Sequence, residues 1–237
     1  MRRGYDFEIN SIPLAINKCK KNIQSNKSVN DDLYRIFCDF YYSMIDKLNS
    51  NQEDIDKLNE NDLEINGLVR ITGEAGPFLH KKSNFIKSIF YDYVSEGVQK
   101  YIDIENKASI LMREGYLFED ALHTISWNDL SDLIVAYEKY IEAYCTYWFE
   151  IRKAQNSLNF FLIVYTQYLD TQTFSYMSGE SDNEYELRDS YLRFAKIYPD
   201  SKYQPIIKGY LEILKNNGFT FDDKAKKYLS KNGIEVL

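Results

Sequence analysis

The stretch that decides the fold reads Trp127-NDLSDLIVAYEKYIEAYCTYWFEIRKAQNSLNFFLIVYTQY-Leu169. Its apolar residues Trp127, Leu130, Ile134, Tyr137, Ile141, Tyr144, Trp148, Ile151, Leu158, Leu162, Tyr165 and Leu169 fall on the a and d positions of a heptad, and only Gln155 interrupts them. The g positions Leu133, Tyr140, Tyr147, Ala154, Phe161 and Tyr168 are apolar as well. An apolar stripe this wide suits a helix packed between two neighbours, not a two-stranded coiled coil. Neither Gly nor Pro occurs between Gly115 and Gly179, and Ser126-x-x-Asp129 has the spacing of a capping box. The pattern therefore predicts one continuous helix over about 127–169, on the order of 60 Å long.

Outward from this segment the same period recurs. Leu33, Phe37, Phe40, Met44 and Leu48 are spaced as one helical face, and Ile86, Phe90, Tyr93, Gly97, Tyr101, Ile104, Ala108 and Leu111 as another, beginning near Ser83. A first helix is expected from Asn10 or Ser11 with Pro13 in its first turn, and a short one over Leu117–Ile125. The Gly73-Glu-Ala-Gly76-Pro77 segment is expected to be a turn leading into a helix, without flanking strands. The fold class is all-α: an elongated antiparallel helical bundle around one very long central helix, with a C-terminal helical hairpin. The polar run Ser178–Asn183 is the expected boundary, giving a long-helix bundle over 1–178 and the hairpin over 183–237, packed as one unit.

Composition sets the functional limits. The 237 residues carry a net charge of −7, so a duplex-binding surface, which relies on a basic excess, is disfavoured and no nucleic acid partner is expected. Cys19, Cys38 and Cys145 are far apart and form no CxxC pair, which argues against a disulfide framework. No apolar run reaches the roughly 20 residues of a transmembrane helix. If Met1 is the native start, a cytoplasmic protein is expected; removal of a signal peptide would place it in the envelope or periplasm.

No reactive constellation emerges, so no catalytic, metal or cofactor residue is assigned. Asp120-x-x-His123 has the spacing of half a di-metal carboxylate site, but the second half is missing and the only other histidine is His80. The Gly73–Gly76 spacing resembles phosphate and nucleic-acid clamps, yet Glu74 would repel phosphate and no Gly-Lys-Ser/Thr follows. Glu138 and Glu142 share one turn and are expected on the solvent face. Tyrosine is over-represented at 21 residues. Aromatic residues are enriched at interfaces, so the Tyr140, Tyr147 and Tyr168 edge is the first candidate for recognition.

The segment Tyr185-ELRDSYLRFAKIYPDSK-Tyr203 and the helix to Lys215 resemble one tetratricopeptide-like hairpin of the kind found in bacterial envelope proteins. In that resemblance Pro199 stops the first helix, Asp200 and Ser201 cap the second, and Tyr191, Phe194 and Tyr203 form the seam. It covers residues 185–215 only and implies a protein-interaction scaffold. The expected function is therefore a non-enzymatic helical scaffold with a protein partner or self-association. The alternatives are a bundle that binds a small molecule between its helices and a helical accessory domain of a larger protein.

Overall fold

A computed structural model describes residues 9, 11–50, 55–73, 76–112, 118–119, 122–123, 125–167 and 182–236. The chain divides into two compact units, Met1–Tyr116 and Leu117–Leu237. This differs from the boundary expected at 178–183, a segment largely outside the described residues.

The first unit opens with helix α1 (Ser11–Asn22) and the longer α2 (Lys27–Asn49), whose amino end is capped by Asn26 Oδ1 accepting from the Ser28 N–H at 3.1 Å. Tyr34, Phe37, Cys38, Tyr41, Met44 and Ile45 form the buried face of α2 at helical spacing. Helix α3 (Glu60–Ile65) follows, capped by Asn59. The chain then departs from the all-helical expectation. Strand β1 (Leu68–Gly73) pairs antiparallel with β2 (Gly76–Lys81), in a register running from Leu68 opposite Lys81 to Gly73 opposite Gly76. The β-branched residues Val69, Ile71 and Thr72 favour this ribbon. Gly73 and Gly76 therefore pair with each other at the ends of two strands rather than opening a helix, and Pro77 sits in a strand opposite Thr72.

The helix expected from Ser83 is two helices, α4 (Phe85–Phe90) and α5 (Glu96–Leu111), separated by residues 91–95. Two polar side chains on α2 fix that break. Asn30 donates to the Tyr93 carbonyl at 2.8 Å, and Asp31 accepts from the Ser95 N–H at 2.8 Å at the amino end of α5. Both residues are buried. Asp31 thus serves the dipole of a helix other than its own.

The second unit begins with a short hairpin, β3 (Phe118–Glu119) and β4 (Leu122–His123), where a helix over 117–125 was expected. The long helix is also two: α6 (Trp127–Ala143) and α7 (Trp148–Gln167). Tyr137 lies 5.7 Å from Phe161 and Trp127 lies 6.4 Å from Tyr165 between ring centroids, so the second helix runs back along the first. The a, d and g stripe is thereby buried largely against itself. A straight helix would have needed an equally long partner. The bend occupies Tyr144–Tyr147 without Gly or Pro: Tyr144 leaves the helical region at φ −119° and ψ 38°, and its carbonyl accepts from the Tyr147 N–H at 3.0 Å.

Helix α8 (Asp182–Ile197) packs on α6 and on α9 (Gln204–Asn216), and α10 (Asp223–Lys231) packs on α9. Hydroxyls at the centre satisfy the carboxyl end of α7, where a helix leaves its last carbonyls unbonded. Tyr191 donates to the Tyr165 carbonyl and Tyr210 to the Thr166 carbonyl, each at 2.5 Å, while Tyr165 Oη lies 2.9 Å from Ser190 Oγ. Burial pushes all three phenols above their ordinary range. Excess tyrosine here is structural: the ring fills the core and the hydroxyl closes a helix end.

Candidate functional site

Tyr140, the first residue of the expected recognition edge, is buried in the core of the second unit. Tyr168 lies outside the described residues. Tyr147 stands in the α6–α7 bend, and around it the chain gathers an aromatic tip. Tyr144 stacks on Tyr140 at 5.2 Å and meets Tyr147 edge-on at 6.0 Å. Trp148, the next residue, is 70% exposed and meets Phe149 edge-on at 6.4 Å. Lys153 Nζ sits 4.4 Å over the Phe149 ring. Cys145 is exposed beside them.

The tip is tied to both helices. Tyr144 joins it to the buried Tyr140, and α7 resumes at once, with the Ile151 N–H donating to the Tyr147 carbonyl at 2.9 Å. An indole kept in water on a fixed turn forfeits on the order of 2 kcal/mol of burial free energy, which a partner surface would recover.

The remaining sequence candidates are not brought together. His123 lies in strand β4 opposite Phe118, so the helical Asp120-x-x-His123 spacing does not form; Asp120 is outside the described residues. Among the described residues no group of three or more His, Cys, Asp or Glu is placed to hold a metal ion. No helix among them is long and apolar enough to cross a membrane. Glu142 is exposed as expected, but Glu138 is 2% exposed. Its Oε2 accepts from Ser201 Oγ at 2.6 Å and its Oε1 from the Lys202 N–H at 2.7 Å. It is a cap for the turn before α9, contributed from α6.

A second cluster lies in the first unit and had no sequence signal. Lys81, the last residue of β2, is 8% exposed. Burial pushes its ammonium below the ordinary lysine range, opposed by the charge of Glu105 on α5 and by Cys38 on α2. Tyr34 and Tyr42 feel the same two groups, and burial pushes both phenols far up. The alternation Leu79 buried, His80 half-buried, Lys81 buried would have placed Lys81 inside, had β2 been foreseen.

His80 is held down to about 4 by burial first and by the adjacent Lys81 charge second. Its folded value lies below the unfolded one, so the unfolded chain binds the proton between about pH 6.5 and 4. Stability of the first unit is therefore full above pH 6.5 and declines as pH falls toward 4. We expect His80→Asn to remove a loss of about 2 kcal/mol between those pH values, read as the difference in urea midpoints of wild type and variant at pH 7 and pH 4. Equal pH slopes for the two proteins would refute the assignment. No family model, curated protein or solved structure matches the chain.

Proposed function

We infer that the protein is a helical interaction scaffold whose second unit carries one tetratricopeptide-like hairpin over 185–215 and meets a protein partner through the aromatic tip at residues 144–149. The observation that carries this reading is Trp148: a large aromatic side chain, 70% exposed, on a turn anchored to the core through Tyr144 and Tyr140. Trp and Tyr are the side chains most enriched where binding energy concentrates. One antiparallel hairpin (α6–α7) is followed by another (α8–α9), the first helix of the second packs on the first helix of the first, and α10 covers the end. The turn between α8 and α9 carries Pro199, and Ser201 Oγ accepts from the Tyr203 N–H at 3.2 Å, the capping role the resemblance gives that serine.

The test uses a photo-crosslinking amino acid at position 148, and separately at the exposed position Asn156 on the same helix, in cells that express the protein. We expect a discrete adduct from position 148 that position 156 does not give. Tyr147→Ala in the position 148 chain should cut its yield by roughly tenfold, the effect of losing one anchoring aromatic. Equal, diffuse labelling from both positions would reject the tip as the contact surface.

A further inference from the structure

Three helices of this chain end on the same dipeptide. Asn66-Gly67 closes α3, Asn217-Gly218 closes α9 and Asn232-Gly233 closes α10, each asparagine being the C-cap. The glycines stand in the left-handed region at φ +68°, +71° and +76°, the conformation that ends a helix and favours glycine. Asn-Gly is also a chemically labile pair, because glycine has no side chain to screen its nitrogen from the asparagine amide carbon. As dipeptides the three pairs are equivalent. Their surroundings are not.

At Asn66 and Asn232 the side chain turns back along its own helix. Nδ2 donates to the Asp62 carbonyl at 2.6 Å in the first case and to the Tyr228 carbonyl at 2.8 Å in the second. The glycine amides that follow are engaged as well, the Gly67 N–H with the Glu64 carbonyl at 3.0 Å and the Gly233 N–H with the Ser230 carbonyl at 3.1 Å. Gly67 is further packed in: its carbonyl accepts from Tyr41 Oη on α2 and from the Lys82 N–H after β2, each at 2.7 Å. Asn217 differs on both counts. Its side chain reaches forward past Gly218, with Nδ2 donating to the Thr220 carbonyl at 2.7 Å and Oδ1 accepting from the Thr220 N–H at 3.3 Å. Among the described residues the Gly218 N–H has no hydrogen-bond partner. The space around the Cβ position of Gly218 is open to 4 Å.

We propose that the turn between α9 and α10 is a self-modification site, at which Asn217 cyclises onto the Gly218 nitrogen and is converted to aspartate or isoaspartate. The Gly218 nitrogen gives its proton to water and bonds to Cγ of Asn217, and the carbonyl electrons move to Oδ1. The Thr220 N–H already points at that oxygen and stabilises the developing oxyanion. As the carbonyl re-forms, Nδ2 leaves with an added proton as ammonia, and a succinimide remains. Water then adds to one of the two ring carbonyls. One opening gives aspartate; the other gives isoaspartate, with an extra carbon in the backbone. Asparagine and water thus become an acid and ammonia, with no oxidant or reductant. Attack requires rotation about ψ of Asn217, now 12°, and the open space around Gly218 leaves room for it. The product matters to the fold because of Asp222, which caps α10 by accepting from the Ala225 N–H at 2.8 Å. That N–H first and the Asn217 amide second hold the Asp222 carboxyl below its ordinary range. A carboxylate at position 217 replaces the second support with repulsion and loosens the α9–α10 turn.

The experiment holds the full-length folded chain at pH 7 and samples it over weeks. Each sample is digested under mildly acid conditions, and conversion of amide to acid is measured at each asparagine by peptide mass spectrometry. Asn217 is expected to convert roughly tenfold or more faster than Asn66 and Asn232, a small share of what holding two reacting groups in position can give. In denaturing urea at the same pH the three rates should converge. A folded-state rate at Asn217 no greater than that at Asn66 or Asn232 overturns the proposal. So does a preference that survives unfolding, which would place its origin in the neighbouring residues and not in the turn. Because the measurement follows the wild-type chain, it does not depend on the folding of any variant.

Discussion

Replacing Glu138 with alanine is expected to destabilise the second unit by about 3 kcal/mol, and replacing it with glutamine by about 1 kcal/mol. The carboxylate is 2% exposed and serves the amino end of α9, which Tyr203 begins without a side-chain cap of its own. Alanine leaves the Lys202 N–H and the buried Ser201 hydroxyl without their shared acceptor, and a stranded buried donor costs its desolvation. Glutamine keeps one acceptor oxygen and the shape but loses the charge that strengthens both bonds. Both tryptophans belong to this unit, so fluorescence reports on it alone. With Trp148→Phe as the background, the buried Trp127 becomes the single probe, and urea midpoints should rank wild type above E138Q above E138A. Three coincident curves would show that the α6-to-α9 link contributes nothing.

That link also marks where sequence reading reaches its limit. Local signals were legible. Ser126 caps α6 as its spacing implied, accepting from the Asp129 N–H at 3.0 Å; Pro199 separates two helices; and the stripe on α6 is buried from Trp127 to Tyr140, whereas on α2 only Phe37 and Met44 of the expected face are buried. The bend at 144–147 was invisible for an arithmetical reason. Trp148 falls 21 residues after Trp127, a whole number of heptads, so the apolar register reads unbroken across the turn. Periodicity records which residues are buried, not whether their partner is another helix or the same chain folded back. Glu138 was misplaced because it shares a turn with the exposed Glu142, whereas its partners lie 63 and 64 positions away. The ribbon at 68–81 was masked by its own glycines and proline, and with it went the alternation that places Lys81 inside. Of the interaction candidates, the bend retains Tyr147; Tyr140, the next g residue upstream, is spent on the core.

Gly67→Ala should be the most damaging single methyl group in the first unit. Gly67 has φ +68°, a region where a side chain costs about 1–2 kcal/mol on its own. An added Cβ would also fall 2.0 Å from Cγ of Phe85. The ring cannot simply swing away, since it stacks on Tyr41 at 5.3 Å, and Tyr41 is the residue whose hydroxyl donates to the Gly67 carbonyl. Relieving the clash therefore means giving up either the stack or the hydrogen bond that aligns β2 with α2. The sum is expected to exceed about 4 kcal/mol, in the range reserved for overpacking combined with backbone strain. Gly218 is the control: at φ +71° with open space around the missing Cβ, Gly218→Ala should cost only the backbone strain. Hydrogen exchange followed by mass spectrometry over 41–49 and 85–90 reads the first case, and Trp127 fluorescence in urea reads the second. If Gly67→Ala costs no more than Gly218→Ala, the contact between Phe85 and the 66–67 turn is not what holds the ribbon to the helix.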